Sequence, residues 1–203
     1  MKIVLLSPPI METWLFKKMF SLIFIFLGNK IDFDSIISKE TNYKKPIKNA
    51  INSYNNFIDY PPSKILDLAT GTGVISIYLS KVFSDSQIIG IDISTDMLTK
   101  AREKAQKSEI NNIKFLHEDV YDLPFPDSEF SLVTVSNALF SFNEVTRILK
   151  ENGILIVTLS NISPSLNKSK VNQKLSRYNL QAIDISDKSE TGFYLILQKR
   201  RCY

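Results

Sequence analysis

The segment best suited to chemistry is the glycine-containing run ATGTG at residues 69–73, which follows the apolar stretch ILDL at 65–68. A helical pattern over 74–82 comes next, so the glycines are expected in a turn between a strand and a helix. Such a turn lets the backbone approach a ligand closely and points the first N–H groups of the helix toward it. A G-x-G sequence is weak evidence alone, so its meaning depends on the neighbouring residues.

Asp92 is a second residue with chemical potential, because it ends the next apolar stretch, QIIGI at 87–91. It follows Gly71 by about 20 residues, the spacing at which an acidic side chain at the end of the second strand accepts hydrogen bonds from ribose hydroxyls. Asp92 could also cap the following helix, a role that Ser94 can fill, and the two roles are compatible. The spacing predicts a ligand that contains a nucleoside.

The pattern of elements around these residues indicates an α/β domain. Short apolar runs alternate with helical patterns from residue 64 onward, which predicts a largely parallel sheet. Strands are predicted at 65–68, 87–91, 113–117, 131–135 and 154–159, with helices at 74–82 and 95–107. A polar helix is predicted at about 165–178, and β-runs at 181–185 and 193–199.

The motifs between residues 64 and 160 resemble those of class I S-adenosylmethionine-dependent methyltransferases, particularly the small-molecule type related to ubiquinone and menaquinone methyltransferases. The matching segments are ILDLATGTG (65–73), GIDIS (90–94), MLTKA (97–101), EDVYDLPFPDSEFSLVTVSNAL (118–139) and RILKENGILIV (147–157). Their order and spacing carry the resemblance, which covers about half of the chain. It implies a Rossmann-like, doubly wound, mostly parallel seven-stranded sheet with an antiparallel C-terminal hairpin strand.

The resemblance also implies that S-adenosylmethionine is the cofactor and that three carboxylates surround it. It places Asp67 near the methionine amino group, Asp92 at the ribose diol and Asp119 at the adenine amino group. The cofactor turn is built by Ala69, which replaces the usual first glycine, and by Gly71 and Gly73.

The remaining predicted cofactor contacts come from apolar side chains, a backbone group and one hydroxyl. The resemblance places Ile93 against the adenine ring and Met97 at the border of its pocket, with the backbone of Val120 beside Asp119. Ser136 is expected where the fourth strand opens onto the methionine moiety and the acceptor.

The activity that the resemblance implies is direct in-line methyl transfer to a small molecule. The acceptor is hypothesised to be apolar, either lipid-like or quinone-like. A dedicated acid or base is needed only if the acceptor must lose a proton, so no catalytic residue is predicted. Two alternatives stay open: a non-catalytic binding or scaffold protein, and a nicotinamide-dependent or flavin-dependent oxidoreductase. The oxidoreductase fits less well, because the turn lacks the third glycine of G-x-G-x-x-G.

Two segments depart from the family pattern. The loop after Leu139 is short, so residues 140–145 are expected to lead almost directly into a helix at 147–149. The turn before the fifth strand is reduced to ENG at 151–153, in which Asn-Gly still supplies a positive φ. The short loop weakens inferences about the acceptor.

Composition excludes several other classes. The chain has 203 residues, one cysteine and one histidine, so neither a disulfide framework nor a cysteine-based or histidine-rich metal site is predicted. The net charge of +4 is not concentrated in long basic runs, so no nucleic-acid partner is expected. His117 is interpreted as structural, because strand alternation should face it away from the crevice.

Residues 1–60 are predicted to form an apolar and helical cap segment before the methyltransferase domain at 61–203. The apolar run MFSLIFIFL at 19–27 is too short to cross a bilayer, which takes about 20 apolar residues. It is interpreted as a core-packed cap helix, a membrane-surface helix or a signal sequence, and a further helix is predicted near 45–58. The predicted location is the cytoplasm, with peripheral membrane contact through the apolar segment as a hypothesis.

Overall fold

A computed structural model describes residues 43–160, 167–186 and 192–201. The strands are β1 Lys64–Leu68, β2 Gln87–Asp92, β3 Ile113–His117, β4 Phe130–Ser136, β5 Leu149–Leu159, β6 Leu180–Ile185 and β7 Phe193–Lys199. The helices are α1 Lys45–Tyr54, α2 Val74–Val82, α3 Thr95–Lys107, α4 Phe142–Ile148 and α5 Lys168–Leu175, and a 3₁₀ turn spans Ser176–Tyr178.

The seven strands form one sheet in the order β3-β2-β1-β4-β5-β7-β6. The first five strands pair in parallel, and β7 lies antiparallel between β5 and β6. The central strands are almost continuously apolar because helices cover both faces of a parallel sheet. These findings confirm the predicted fold and its antiparallel C-terminal hairpin.

The strand order creates a crevice beside β1. The chain proceeds outward from β1 through β2 to β3 and then returns to β4 on the other side of β1. Ligands of open α/β sheets bind at such a reversal, outside the carboxyl ends of the strands. The topology therefore predicts a ligand site at the residues that follow β1, β2 and β4.

Helix α1 packs on the sheet. Its side chains Ile47, Ala50, Ile51 and Tyr54 are buried in one cluster with residues of α2, β5 and β7. The helix ends at Tyr54, so the predicted extension to residue 58 was wrong. Part of the segment predicted as a cap thus belongs to the sheet's core, and the domain boundary at residue 60 stays a prediction.

Helix α1 is also tied to the antiparallel hairpin through one carboxylate. Asp184 on β6 accepts hydrogen bonds at Oδ2 from the hydroxyl groups of Ser53 on α1 and Tyr194 on β7, the latter at 2.9 Å. One polar contact thus joins α1 to both strands of the C-terminal hairpin, more than 100 residues away in sequence.

The boundary between α4 and β5 differs from the prediction. The helix expected at 147–149 begins at Phe142 and ends at Ile148, and β5 begins at Leu149 instead of Ile154. Leu149 is a strand residue because it pairs with Phe130 on β4. Asn152 has φ +60°, which agrees with the positive φ predicted for the ENG turn.

The C-terminal helix is shorter than the predicted 165–178, since α5 covers Lys168–Leu175 and the chain then continues as the 3₁₀ turn. Within residues 43–160, 167–186 and 192–201, no helix is both long and apolar enough to cross a membrane. The apolar run at 19–27 and its three interpretations lie outside the described residues.

Replacing Ile51 with Ala tests whether α1 is part of the core. Ile51 is 1% exposed, so its truncation should lower the free energy of unfolding by about 2–5 kcal/mol in urea titrations. The adjacent exposed Asn52→Ala is the matched control and should change it by less than about 0.5 kcal/mol. Equal effects of the two substitutions would contradict the packing of α1 on the sheet.

Candidate functional site

The turn at 69–73 leaves the carboxyl end of β1 with three residues at positive φ. They are Ala69 at +51°, Gly71 at +56° and Gly73 at +78°. The N–H of Thr70 donates to the carbonyl of Ile91 on β2 at 2.8 Å. The turn is therefore anchored to the neighbouring strand, and Ala69 adopts a conformation that alanine rarely adopts.

The two glycines of the turn have different surroundings. A Cβ at Gly73 would lie 2.9 Å from the Cβ of Ala101 and 3.0 Å from the ring of Phe115, so close packing requires glycine there. A Cβ at Gly71 would meet nothing within 4 Å. The turn thus packs closely against α3 and β3 at Gly73, whereas beside Gly71 it borders open space that a ligand can occupy.

Asp92 connects the turn to the start of α3. Its Oδ2 accepts from the N–H of Gly71 at 2.8 Å, and its Oδ1 accepts from the N–H of Ser94 at 2.9 Å. Burial raises the pKa of Asp92, although backbone hydrogen bonds and the nearby His117 act to lower it. A carboxylate has about four acceptor positions, so capacity remains for a hydroxyl of a ligand.

Asp67 lies beneath the turn and is completely enclosed. Its Oδ2 accepts from the hydroxyls of Thr70 at 2.7 Å and Ser76 at 2.8 Å, and its Oδ1 accepts from Thr134 at 2.8 Å. Burial raises the pKa of Asp67, while the three hydroxyl donors oppose that rise. The carboxylate thereby joins β1 to its own turn, to α2 and to β4.

The three hydroxyl donors were not identified from the sequence. A signal for them exists, because a charged residue inside an apolar strand requires hydrogen-bond partners and hydroxyl side chains lie within the following turn and helix. Ser76 and Thr70 could have been found in this way. Thr134 could not, because only the pairing of β1 with β4 brings it to Asp67.

Asp119 lies at the end of β3, beside the end of β2. The N–H of the preceding Glu118 donates to the carbonyl of Asp92 at 3.2 Å. The Asp119 side chain accepts from the N–H of Tyr121 at 2.9 Å, and its carbonyl accepts from the N–H of Asp122 at 3.1 Å. The structure therefore brings two predicted ligand carboxylates, Asp92 and Asp119, to adjacent strand ends.

The apolar residues predicted to surround the adenine flank these carboxylates along the chain. Ile93 and Val120 directly follow Asp92 and Asp119 and are half-buried, and Met97 is buried in the first turn of α3. The exposed His117 has its Nε2 at 2.9 Å from the carbonyl of Ile93, a contact with the backbone.

The ends of β4 and β5 form a polar array. The hydroxyls of Ser136 and Thr158 are 2.7 Å apart. Asn137 has φ +55°, its amide donates to the hydroxyl of Ser160 at 3.0 Å, and its Oδ1 accepts from the N–H of Ser160 at 2.7 Å. The sequence pointed only to Ser136; the other three residues become apparent through strand pairing.

Phe140, Phe142 and Tyr178 form an aromatic group. The rings of Phe140 and Phe142 are 4.6 Å apart, and Phe142 stacks on Tyr178 at 5.0 Å. Among residues 43–160, 167–186 and 192–201, no three metal-ligating side chains come together.

Comparisons with known proteins agree with this geometry. A family model described as a methyltransferase domain matches residues 61–199. Demethylmenaquinone methyltransferase of Staphylococcus aureus strain MRSA252 is 38% identical over 111 residues, which are 51% of this chain and 45% of that protein. The chain thus spans about half the length of the curated relatives it matches.

Two solved structures have the same fold. A SAM-dependent methyltransferase from Aquifex aeolicus aligns with a TM-score of 0.55 at 20% identity, covering 68% of this chain and 82% of that one. Geranyl diphosphate C-methyltransferase from Streptomyces coelicolor, solved with S-adenosyl-L-homocysteine, aligns with a TM-score of 0.56 at 13% identity, covering 68% and 72%.

Replacing Thr134 with Val tests the buried carboxylate network. The loss of one donor to Asp67 should lower the free energy of unfolding by about 1–3 kcal/mol at pH 7. The loss should be smaller at pH 4, because the missing donor stabilised the ionised carboxylate and its absence raises the pKa of Asp67 further. Urea titrations at both pH values measure this difference.

Thr134→Ser is the matched control for this prediction, because serine retains the hydroxyl donor and removes only a methyl group. It should retain the pH dependence of the wild-type protein. A cost for Thr134→Val that is the same at pH 4 and pH 7 would show that the hydroxyl does not act on an ionised Asp67.

Proposed function

This chain belongs to the methyltransferase-domain family, and we propose that it transfers a methyl group from S-adenosylmethionine to a small-molecule acceptor. The observation that carries the proposal is the glycine turn after β1, in which a Cβ at Gly71 would meet no atom within 4 Å and the Gly71 N–H donates to Asp92 at the end of β2. A turn with this shape admits a nucleoside ligand at the reversal of the strand order.

The predicted residues fit such a cofactor at its nucleoside end. Asp92 has remaining acceptor capacity for the ribose diol, and Asp119 on the neighbouring strand end accepts from the adenine amino group. Ile93 and Met97 contribute apolar surface to the adenine, and the backbone of Val120 lies beside it. Two ligand carboxylates at adjacent strand ends suit a ribose joined to a base.

The methionine end of the cofactor belongs to the turn and to the end of β4. Asp67 is the residue predicted near the amino group, and its oxygens already accept from three hydroxyls, so it acts there chiefly by holding the turn. The other residues proposed for this end are Ala69, Gly71, Gly73 and Ser136.

Positioning is the main contribution that the protein has to make. S-adenosylmethionine carries an activated methyl group on a sulfonium when it is bound. Correct alignment of two reactants can supply about 7–11 kcal/mol of the barrier reduction. We therefore assign no residue as a catalytic acid or base.

The acceptor is proposed to have an apolar body. Ala138, Phe140 and Leu159, which follow or end β4 and β5, are partly buried against the core. The names of the relative and of the Streptomyces neighbour specify a demethylmenaquinone and a geranyl diphosphate, and both molecules carry apolar chains. A lipid-like or quinone-like acceptor is consistent with these residues.

The cofactor proposal is tested by calorimetric titration with S-adenosylhomocysteine, using NADH as the comparison ligand. Asp92→Asn should weaken S-adenosylhomocysteine binding about 10- to 100-fold, because the charged acceptor is lost and the new amide NH₂ group faces the N–H of Gly71 or Ser94. The exposed Asp96→Asn, in the first turn of α3, is the matched control and should bind as the wild-type protein does.

Each result of this titration discriminates between the candidates. Binding of NADH in preference to S-adenosylhomocysteine would favour the oxidoreductase alternative. Absence of S-adenosylhomocysteine binding by folded protein would contradict the enzyme and leave the scaffold alternative. Binding without turnover on any apolar acceptor would point to a non-catalytic binding protein.

We also propose that the protein is located in the cytoplasm and contacts the membrane surface through the apolar segment. Deletion of residues 1–27, which include the run at 19–27, should abolish co-sedimentation with phospholipid vesicles if this segment contacts lipid. S-adenosylhomocysteine binding by the shortened chain is the control for folding. Unchanged co-sedimentation would contradict the lipid contact.

A further inference from the structure

The segment between β3 and β4 is held by two side chains of α4. Arg147 donates from one guanidinium nitrogen to the carbonyl of Leu123 at 2.8 Å and from another to the carbonyl of Phe125 at 2.6 Å. Glu144 accepts from the N–H of Leu123 at 3.0 Å. Both main-chain polar groups of Leu123 therefore bond to this pair of side chains.

The pair is itself a two-point contact. The guanidinium of Arg147 donates to both carboxylate oxygens of Glu144, at 3.2 Å and 2.8 Å. Bidentate bonds between charged groups fix direction as well as distance. A further contact with Asp127 at 3.0 Å lies at the surface, where the Asp127 side chain is 76% exposed.

Glu144 and Arg147 supply the main-chain hydrogen bonds of Leu123 that a neighbouring strand would supply in a sheet. Residues 120–127 lie in no helix or strand, yet Leu123 is buried at 3% exposure. Buried main-chain groups require hydrogen-bond partners, and here side chains supply them. The arrangement positions Leu123 as a neighbouring strand would.

Leu123 directly follows the tight turn that contains Asp119. The tight turn 119–122 ends immediately before Leu123, and it is closed by the bond from the N–H of Asp122 to the carbonyl of Asp119. The Asp119 carboxylate is fixed inside the same turn by the N–H of Tyr121. We expect a shift of Leu123 to disturb this turn and with it the carboxylate proposed to bind the adenine amino group.

We propose that Glu144 and Arg147 are positioning residues for adenine recognition, because they hold the 119–127 segment at the place where Asp119 meets the adenine amino group. This inference rests on the proposed function. It predicts that weakening the pair reduces selectivity for adenine in addition to lowering stability.

The test compares two ligands on the same protein preparations by calorimetry. One is S-adenosylhomocysteine, and the other is S-inosylhomocysteine, in which an oxygen replaces the amino group of the base. Wild-type protein should prefer the first by about tenfold or more, the value of one hydrogen bond to a charged group. The ratio of the two affinities is the readout, because it does not depend on the fraction of folded protein.

Two substitutions weaken the pair in different ways, and one leaves it in place. Arg147→Lys keeps the charge but loses the planar fork, and Glu144→Ala removes the acceptor for Leu123. Both should bring the affinity ratio to within about twofold of unity if one hydrogen bond is lost. Asp127→Asn is the matched control, because it removes only the charge of the exposed partner of Arg147, and it should keep the wild-type ratio.

The outcomes separate this inference from the proposed function. If Arg147→Lys and Glu144→Ala lower the melting temperature but keep the wild-type ratio, the pair is only structural and the inference is overturned, although the cofactor proposal stands. If wild-type protein binds neither ligand, the cofactor proposal fails and the inference falls with it. Loss of selectivity in both variants and its retention in Asp127→Asn would support the inference.

Discussion

The Asp67 carboxylate is enclosed beneath the glycine turn, and the arrangement of the site depends on how its charge is accommodated. A buried carboxylate is costly unless hydrogen bonds compensate for the lost water. Here Thr70, Ser76 and Thr134 supply those bonds from the turn, from α2 and from β4. Since β1 and β4 flank the reversal of strand order, the bond from Thr134 fixes the two strands between which the crevice opens. The Ser76 hydroxyl that donates to Asp67 also restricts β2, because a Cβ at Gly90 would lie 2.8 Å from it.

The sequence was sufficient for the elements whose signal is local. Apolar runs identified the strands, the G-x-G segment located the turn, and the spacing singled out Asp92, whose side chain accepts from Gly71 in the structure. The sequence was insufficient where the structure or the role of a residue depends on strand pairing. Leu149 continues a helical pattern along the chain but pairs with Phe130, and Thr134 acquires its role only beside β1. The contacts of Glu144 and Arg147 were missed for a different reason, since their partners are main-chain groups of a segment without regular structure.

The ends of β4 and β5 are organised differently from the glycine turn and the ends of β2 and β3. Their polar side chains bond to one another, as Ser136 does with Thr158 and Asn137 with Ser160. Asn137 holds a left-handed backbone conformation, which is uncommon outside glycine but accessible to asparagine. Local patterns do not specify such an array, because its members come from two strands. The sequence therefore carried more information about the turn after β1 and the end of β2 than about the ends of β4 and β5.

Helix α4 contacts both the segment that carries Asp119 and the aromatic side chains near the end of β4. Its Glu144 and Arg147 hold the segment that carries Asp119, while Phe142 in its first turn stacks on Tyr178 next to Phe140. A shift of this seven-residue helix is therefore expected to alter both sets of contacts. For the methyl transfer proposed above, in which alignment would supply much of the rate, a connection of this kind would contribute without any acid or base. The short loop after Leu139, which departs from the family pattern, brings α4 close to the end of β4 and so makes this connection direct.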